Sequence, residues 1–133
     1  MNDPEEIRRR VRVRLAEQRE LVESLLRLRE QVVGSVFSRY GQCGKAGCAC
    51  QRGERHGPYY VLSRRTAGKG SFDYLDAERL AQARDLVARA REFRRGLRRL
   101  QKLNEEVVDL LRRYQSAMAR RGVRSLGVPA VAM

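Results

Sequence analysis

Residues 43–64 read CGKAGCACQRGERHGPYYVLSR, and they separate two long helical patterns, so they decide how the chain folds. The first half of this stretch is rich in Gly and Cys, and Gly permits the tight turns that a metal-binding loop needs. The second half, from Pro58 onward, is aromatic and β-branched, which is typical of a strand. We therefore expect a compact metal-binding loop, a knuckle, that leads directly into a strand.

A second strand follows this one. Ser71–Leu75 alternates polar and apolar residues, and the Thr66–Gly70 segment between the two strands has the composition of a turn. The pattern predicts a β-hairpin. Because two strands alone are only marginally stable, the hairpin needs a bound metal or a helix to pack against.

All the Cys residues of the chain and its single His lie in this region, in the pattern C-x4-C-x-C-x5-H. Thiolates and imidazole are tetrahedral ligands of Zn²⁺, and a Cys3His set leaves no open position for water. We predict a closed structural zinc site, whose metal supplies folding free energy, held by Cys43, Cys48, Cys50 and His56. Reduced cysteines in a loop, or a thiol pair that senses oxidants, are the alternatives that the residues leave open.

The same residues carry a family resemblance. CGKAGCAC followed by HGPYY resembles the signature of an uncharacterised prokaryotic family of small basic proteins, and the similarity extends over about residues 36–115. The resemblance implies a small zinc-binding protein with the same ligands, Cys43, Cys48, Cys50 and His56. Its members are associated with mobile-element genes, and the family has no settled activity to transfer.

The N-terminal segment, residues 1–40, has the pattern of an amphipathic helix from about residue 4 to about residue 35. Asp3-Pro4-Glu5-Glu6 has a capping carboxylate, a proline for the first helical position, and acidic residues for the positive end of the helix dipole. Residues at spacings of three and four then form a single stripe: Ile7, Val11, Arg14, Gln18, Leu21, Leu25, Leu28 and Val32.

A second, basic helix is predicted over residues 76–122, capped by Asp76 and stopped by Gly122, and residues 123–133 are predicted to be a flexible tail. Its heptads place Leu86, Phe93, Leu100, Val107 and Tyr114 at one seam position and Ala90, Leu97, Asn104, Leu111 and Met118 at the other. Such a helix needs a partner. For a homodimer or a coiled-coil partner protein, the contact residues would be Phe93, Leu97, Leu100, Asn104, Val107 and Leu111.

The second helix can also pack on the first helix of its own chain. In that arrangement Asn104 would meet Gln18 or Arg14, and both arrangements can coexist in a four-helix dimer. The expected fold is mainly α, of the α+β class. Two long helices form a coiled-coil-like hairpin, and the Cys3His zinc knuckle and small β-hairpin lie between them in residues 41–75.

The chain carries 29 Lys and Arg against 16 Asp and Glu, a formal net charge of +13, which attracts polyanions. The charge is densest in residues 41–72, where basic groups surround the knuckle beside aromatic residues. Arginines also share outward positions of the second helix, where solvation of a helix exterior explains them equally well. The predicted nucleic-acid-binding residues are Lys45, Arg52, Arg55, Tyr60, Arg64, Arg65, Lys69, Arg91, Arg95, Arg98, Arg99 and Lys102.

These observations predict a zinc-stabilised nucleic-acid-binding accessory protein, acting on DNA rather than RNA, with largely sequence-independent affinity. The alternative is a coiled-coil adaptor that docks a protein partner such as a transposase or recombinase. We expect no enzyme, because the single His is used as a ligand and no phosphate-binding loop or carboxylate pair stands out. We also expect no small-molecule substrate and no membrane association, and a cytoplasmic, nucleoid-associated location.

Overall fold

The computed structural model describes residues 3–41, 46–53 and 55–129, with every side chain in them except those of Cys50, Gln51 and Thr66. The described residues form a fold of the α+β class. Its elements are α1 (Pro4–Leu26), β1 (Gly34–Gly41), a short 3-10 helix (Ala49–Arg52), β2 (His56–Thr66), β3 (Lys69–Leu75) and α2 (Ala77–Ser125). No described helix has the length and apolar character needed to cross a membrane.

Helix α1 begins where the sequence predicts it. The Asp3 carboxylate accepts a hydrogen bond from the Glu5 backbone N at 3.2 Å, and Pro4 occupies the first turn. The predicted stripe faces inward, since its ends at Ile7 and Leu25 are buried and the positions between them are half-buried.

The prediction that this helix reaches about residue 35 is wrong, because α1 ends at Leu26. Leu28 and Val32 of the predicted stripe therefore lie beyond the helix. The Val32 backbone N donates to the Leu86 backbone O at 3.1 Å instead of continuing the helical ladder. Val32 and Val33 are β-branched residues, which favour extended backbone over helix.

The sheet has three antiparallel strands in the order β1-β2-β3. The predicted hairpin is confirmed as β2 and β3, which are joined at Ala67 and Gly68. Both of these residues have positive φ, 53° and 79°, as a two-residue type I′ turn requires.

The first strand was not predicted. The Gly34–Gly41 segment was assigned to the N-terminal helical segment, but it pairs with β2 along most of its length.

Helix α2 is 49 residues long and starts after Asp76, as predicted. The Asp76 carboxylate accepts a hydrogen bond from the Arg79 backbone N at 2.8 Å. The helix continues past Gly122 to Ser125, so the predicted tail begins inside the helix. Residues 130–133 lie outside the described residues.

The chain divides into two compact units, and α2 contributes to both. Unit 1 contains the described residues of Met1–Arg27 and Arg95–Met133, and unit 2 contains those of Leu28–Arg94. Buried apolar residues of unit 1 are Ile7, Leu25, Leu103, Leu110 and Ala117; those of unit 2 are Val61, Ala83, Val87 and Ala90.

In unit 1, α1 and α2 form an antiparallel pair. Near one end of the pair, Leu25 lies against Gly96: a Cβ built on Gly96 would come within 2.3 Å of the Leu25 side chain. Further along, Arg14 Nε donates to the Glu106 carboxylate at 2.7 Å. The absence of a side chain at Gly96 is what allows α1 to approach, and this explains the helix-weakening glycine in α2.

One of the two predicted seams in α2 is shifted by one residue. Leu100, Val107 and Tyr114 are half-buried, as expected for the first seam. The second buried line runs through Gly96, Leu103, Leu110 and Ala117. Of the predicted second seam, Ala90 is buried, but Leu97, Asn104, Leu111 and Met118 are exposed. Because α1 contacts the small Gly96, the line that contains Gly96 is buried and the neighbouring line that contains Leu97 is not.

Candidate metal centre and nucleic-acid interface

Two of the predicted zinc ligands lie next to each other. Cys48 Sγ is 2.8 Å from His56 Nε2, and both side chains are half-buried. Cys48 caps the 3-10 helix and His56 opens β2. Gly53, with φ of 102°, ends the 3-10 helix in the left-handed region and turns the chain back, so that residues eight apart can meet.

The other two predicted ligands are not placed. Cys43 lies outside the described residues, and only the backbone of Cys50 is described. Within the described part of the chain, no group of three or more His, Cys, Asp or Glu side chains could hold a metal ion. A thiolate and an imidazole side by side are nevertheless a donor set that suits Zn²⁺. Cys48 and His56 therefore have the donor types that Zn²⁺ prefers.

Exposed basic side chains surround the knuckle and the hairpin. Arg52, Arg55, Arg65 and Lys69 are all exposed, and in the described residues none of them takes part in an ion pair. Lys45 lies outside the described residues. Arg64 is different, because its Nε donates to the Asp73 carboxylate of the neighbouring strand at 2.9 Å. Arg64 is therefore partly neutralised, while Arg52, Arg55, Arg65 and Lys69 have no acidic partner among the described residues.

Tyr60 lies on the side of the sheet that faces α2. Its ring is half-buried, with the Arg84 guanidinium carbon 5.5 Å from the ring centroid. Tyr59 points to the opposite side and is 40% exposed. Tyr60 is the predicted nucleic-acid-binding tyrosine, but in the structure Tyr59 is the more accessible ring.

The side of the sheet that carries Tyr59 has several aromatic residues, and we call it the aromatic sheet face. Phe37 and Tyr74 lie directly opposite Val61 on the two neighbouring strands, so all three project from the same side. Alternation along the strands adds Tyr59 and Phe72 to this side. Its two charged residues are Arg39 and Arg65.

Sequence reasoning missed Phe37 and Arg39, because β1 was not predicted. The signal was the presence of Val36, Phe37 and Tyr40 in a short segment between two glycines, Gly34 and Gly41. Tyr59, Phe72 and Tyr74 lie in the two predicted strands, but the third strand that completes the face was not predicted.

The predicted cations of α2 are also on the surface. In unit 1, Arg95, Arg98 and Lys102 are exposed, and their spacing places them on one side of the helix. Arg99 shares that side and pairs with Glu17 of α1 at 3.2 Å. In unit 2, Arg91 is exposed.

The predicted oligomerisation residues fall into two groups. Phe93, Leu100 and Val107 are half-buried within their own chain. Leu97 and Leu111 remain 43% and 47% exposed, and Asn104 is exposed between them. Met118, 38% exposed, continues this line. We call Leu97, Asn104, Leu111 and Met118 the outer stripe of α2.

Comparison with known proteins gives a family but no activity. The model of a family described as a domain of unknown function, DUF6788, matches residues 4–85, from the start of α1 into α2. No curated protein and no solved structure matches the chain.

Proposed function

Since the chain belongs to the family of the domain of unknown function DUF6788, whose description names no activity, we propose its function from its own residues. It is a zinc-stabilised protein that binds DNA through the basic surface of its knuckle and hairpin. It acts in the cytoplasm as an accessory factor, not as an enzyme. No residue has a catalytic role, because His56, the single His of the chain, would be used as a metal ligand.

One observation carries this proposal: the exposed cations of the knuckle and hairpin lack acidic partners in the described residues. Arg52, Arg55, Arg65 and Lys69 are exposed, and the carboxylate nearest to them in the sheet, Asp73, already pairs with Arg64. Exposed guanidinium and ammonium groups bind phosphate oxygens and release counterions from DNA. Phosphate contacts of this kind give affinity with little sequence preference.

In this proposal the metal has a structural role. Cys43, Cys48, Cys50 and His56 would hold Zn²⁺, which would supply folding free energy to a loop with few apolar residues. The adjacency of the Cys48 and His56 side chains supports the choice of these two residues as ligands. The chain's own residues then present the charge: Arg52 and Arg55 lie within the knuckle, between Cys50 and His56, and Lys69 lies at the tip of the hairpin.

Paired charge-removal variants test the proposal. Arg65→Gln combined with Lys69→Gln removes two exposed cations of the hairpin. Arg120→Gln combined with Arg121→Gln removes the same charge from exposed positions near the end of α2. For binding to labelled DNA, the slope of log affinity against log salt is negative, and each lost phosphate contact should make it shallower by about one. The hairpin variant should show this reduction and the α2 variant should not; equal effects would reject the proposed site.

The outer stripe of α2 supports a second candidate function, which is assembly. Leu97, Leu111 and Met118 are exposed apolar residues of α2. The neighbouring line through Leu103, Leu110 and Ala117 is already buried within the chain. Val22 and Leu15 of α1, in the same unit, are also 37% and 49% exposed. A second copy of the chain that covers these residues would give a four-helix dimer. A coiled-coil partner such as a transposase or recombinase would use the same residues.

Sedimentation velocity distinguishes assembly from DNA binding. A dimer held by apolar contacts should persist at high salt, whereas DNA affinity should fall. Leu111→Ser should weaken the dimer, and Leu126→Ser, at a 76% exposed position beyond α2, should not. If the wild-type chain is monomeric at every concentration and binds no helical partner, the assembly function is rejected.

A further inference from the structure

The aromatic sheet face consists of two ring pairs around a buried aliphatic residue. The rings of Phe37 and Phe72 meet edge to face with their centroids 6.2 Å apart, and those of Tyr59 and Tyr74 do the same at 6.2 Å. Val61, on the central strand, is 0% exposed. The four rings therefore lie on one side of the sheet, around the buried Val61.

Packing within the sheet does not explain why the rings of this face are so exposed. Edge-to-face pairing and cover for Val61 explain why aromatic residues occur here. However, Phe72 and Tyr74 are still 64% and 60% exposed, which is far more than cross-strand packing requires. Clustered aromatic surface of this kind on a small protein marks a binding site.

The charges on this face suit a polyanion. Its charged residues, Arg39 and Arg65, are both exposed and both basic. Asp73 projects from the other side of the sheet, because it pairs in register with Leu62 and lies between Phe72 and Tyr74 on β3. The carboxylate is therefore directed away from the rings, and the guanidinium groups lie on the same side as the rings.

We propose that the aromatic sheet face binds the unpaired bases of single-stranded DNA, with Phe72 and Tyr74 as stacking residues and Arg39 and Arg65 as phosphate contacts. This inference rests on the proposed function and names the form of DNA that it recognises. Aromatic rings combined with basic groups are the means by which proteins hold single strands, because every base presents a face for stacking. A duplex keeps its base faces inside the stack, so it can offer only phosphates to this surface.

The test compares ring-removing and ring-retaining variants. Phe72→Ala and Tyr74→Ala remove rings, whereas Phe72→Tyr and Tyr74→Phe keep them. Binding of labelled oligo-dT, a mixed-sequence single strand, a DNA duplex and the matching RNA is measured by anisotropy at one fixed salt concentration. Each ring-removing variant should lower single-strand affinity about tenfold, in line with the loss of one stacked base. Both ring-retaining variants should bind as the wild type does.

A second readout shows where the bases lie. Ultraviolet crosslinking to an oligonucleotide that contains iodouracil should attach the base to Tyr59, Phe72 or Tyr74, as mapped by mass spectrometry. Circular dichroism of all variants checks that the sheet is intact. Substitutions of Phe72 and Tyr74 should leave the sheet intact, because both side chains are highly exposed.

The outcomes separate this inference from the proposed function. If the wild type binds single strands more tightly than duplex and the ring-removing variants lose that preference, the inference holds. If DNA binds equally well to all variants, the face is not a base-binding site, although the proposed function survives. Tighter binding of the matching RNA would overturn the assignment to DNA. If no nucleic acid binds, both proposals are wrong.

Discussion

The side-chain amide of Gln18 on α1 donates a hydrogen bond to the side-chain oxygen of Asn104 on α2. This contact lies within unit 1. It confirms the prediction that Asn104 meets Gln18 when the second helix packs on the first helix of its own chain. The Arg14–Glu106 ion pair, one turn away on α1, extends the polar contact. The weak polar section of the α1 stripe is thus matched by polar residues of α2.

The close approach of α1 and α2 predicts the effect of Gly96→Ala. Alanine favours helix over glycine by about 0.8–1.0 kcal/mol, but the new Cβ would lie 2.3 Å from the side chain of the buried Leu25. Overpacking of a buried contact costs about 1–3 kcal/mol, so the variant should be less stable by about 1 kcal/mol. Urea unfolding followed by circular dichroism measures this.

Gly122→Ala is the matched control for Gly96→Ala, because nothing lies within 4 Å of its added Cβ. This substitution, which is also in α2, should leave stability unchanged or raise it. Leu25→Ala should make room for a methyl group at position 96, so Gly96→Ala should cost less in that background. If Gly96→Ala stabilises the wild-type chain, the close contact of the two helices is wrong.

Asn104→Leu should strengthen self-association. The substitution completes an apolar line between Leu97 and Leu111 in the outer stripe, where a polar residue now interrupts it. Sedimentation equilibrium should show a tighter dimer or a higher oligomer. Ser116→Leu adds the same side chain at an exposed α2 position away from the stripe and should change nothing. An unchanged mass distribution for Asn104→Leu would argue against the stripe as an interface.

Metal analysis tests the knuckle independently of any ligand. The chain purified without chelator should contain about one zinc per molecule, and Cys48→Ser or His56→Asn should lose it and melt at a lower temperature. Because the thiol must be deprotonated to bind metal, zinc release should increase as the pH is lowered. A metal-free wild-type protein whose thiols oxidise reversibly would support the redox alternative instead.

The parts of the fold that local patterns determine were predictable. The capped start of α1, the Ala67–Gly68 turn and the Asp76 cap each depend on residues within one turn of the chain. Spacing alone also identified the inward stripe of α1. These features need no knowledge of distant contacts.

The parts that depend on distant contacts were not predictable. Strand β1 is a short run whose stability comes from pairing with β2, and strand propensity depends strongly on such context. Two neighbouring lines of α2 are similarly apolar, and the packing of α1, which approaches closely at Leu25 and Gly96, determines which of them is buried. The aromatic sheet face follows from β1, so it could not be assembled without that strand.

A salt titration of DNA binding on metal-loaded protein tests the central claim most directly, with the Cys48→Ser, Cys50→Ser variant measured in parallel. The zinc-stabilised DNA-binding account predicts affinity of about micromolar or better near physiological salt, and a log–log slope of about −3 to −4, as expected for a few phosphate contacts. It also predicts a large loss of affinity in the variant. Absence of binding to any DNA at low salt, or binding by the metal-free variant equal to that of the wild type, would contradict it.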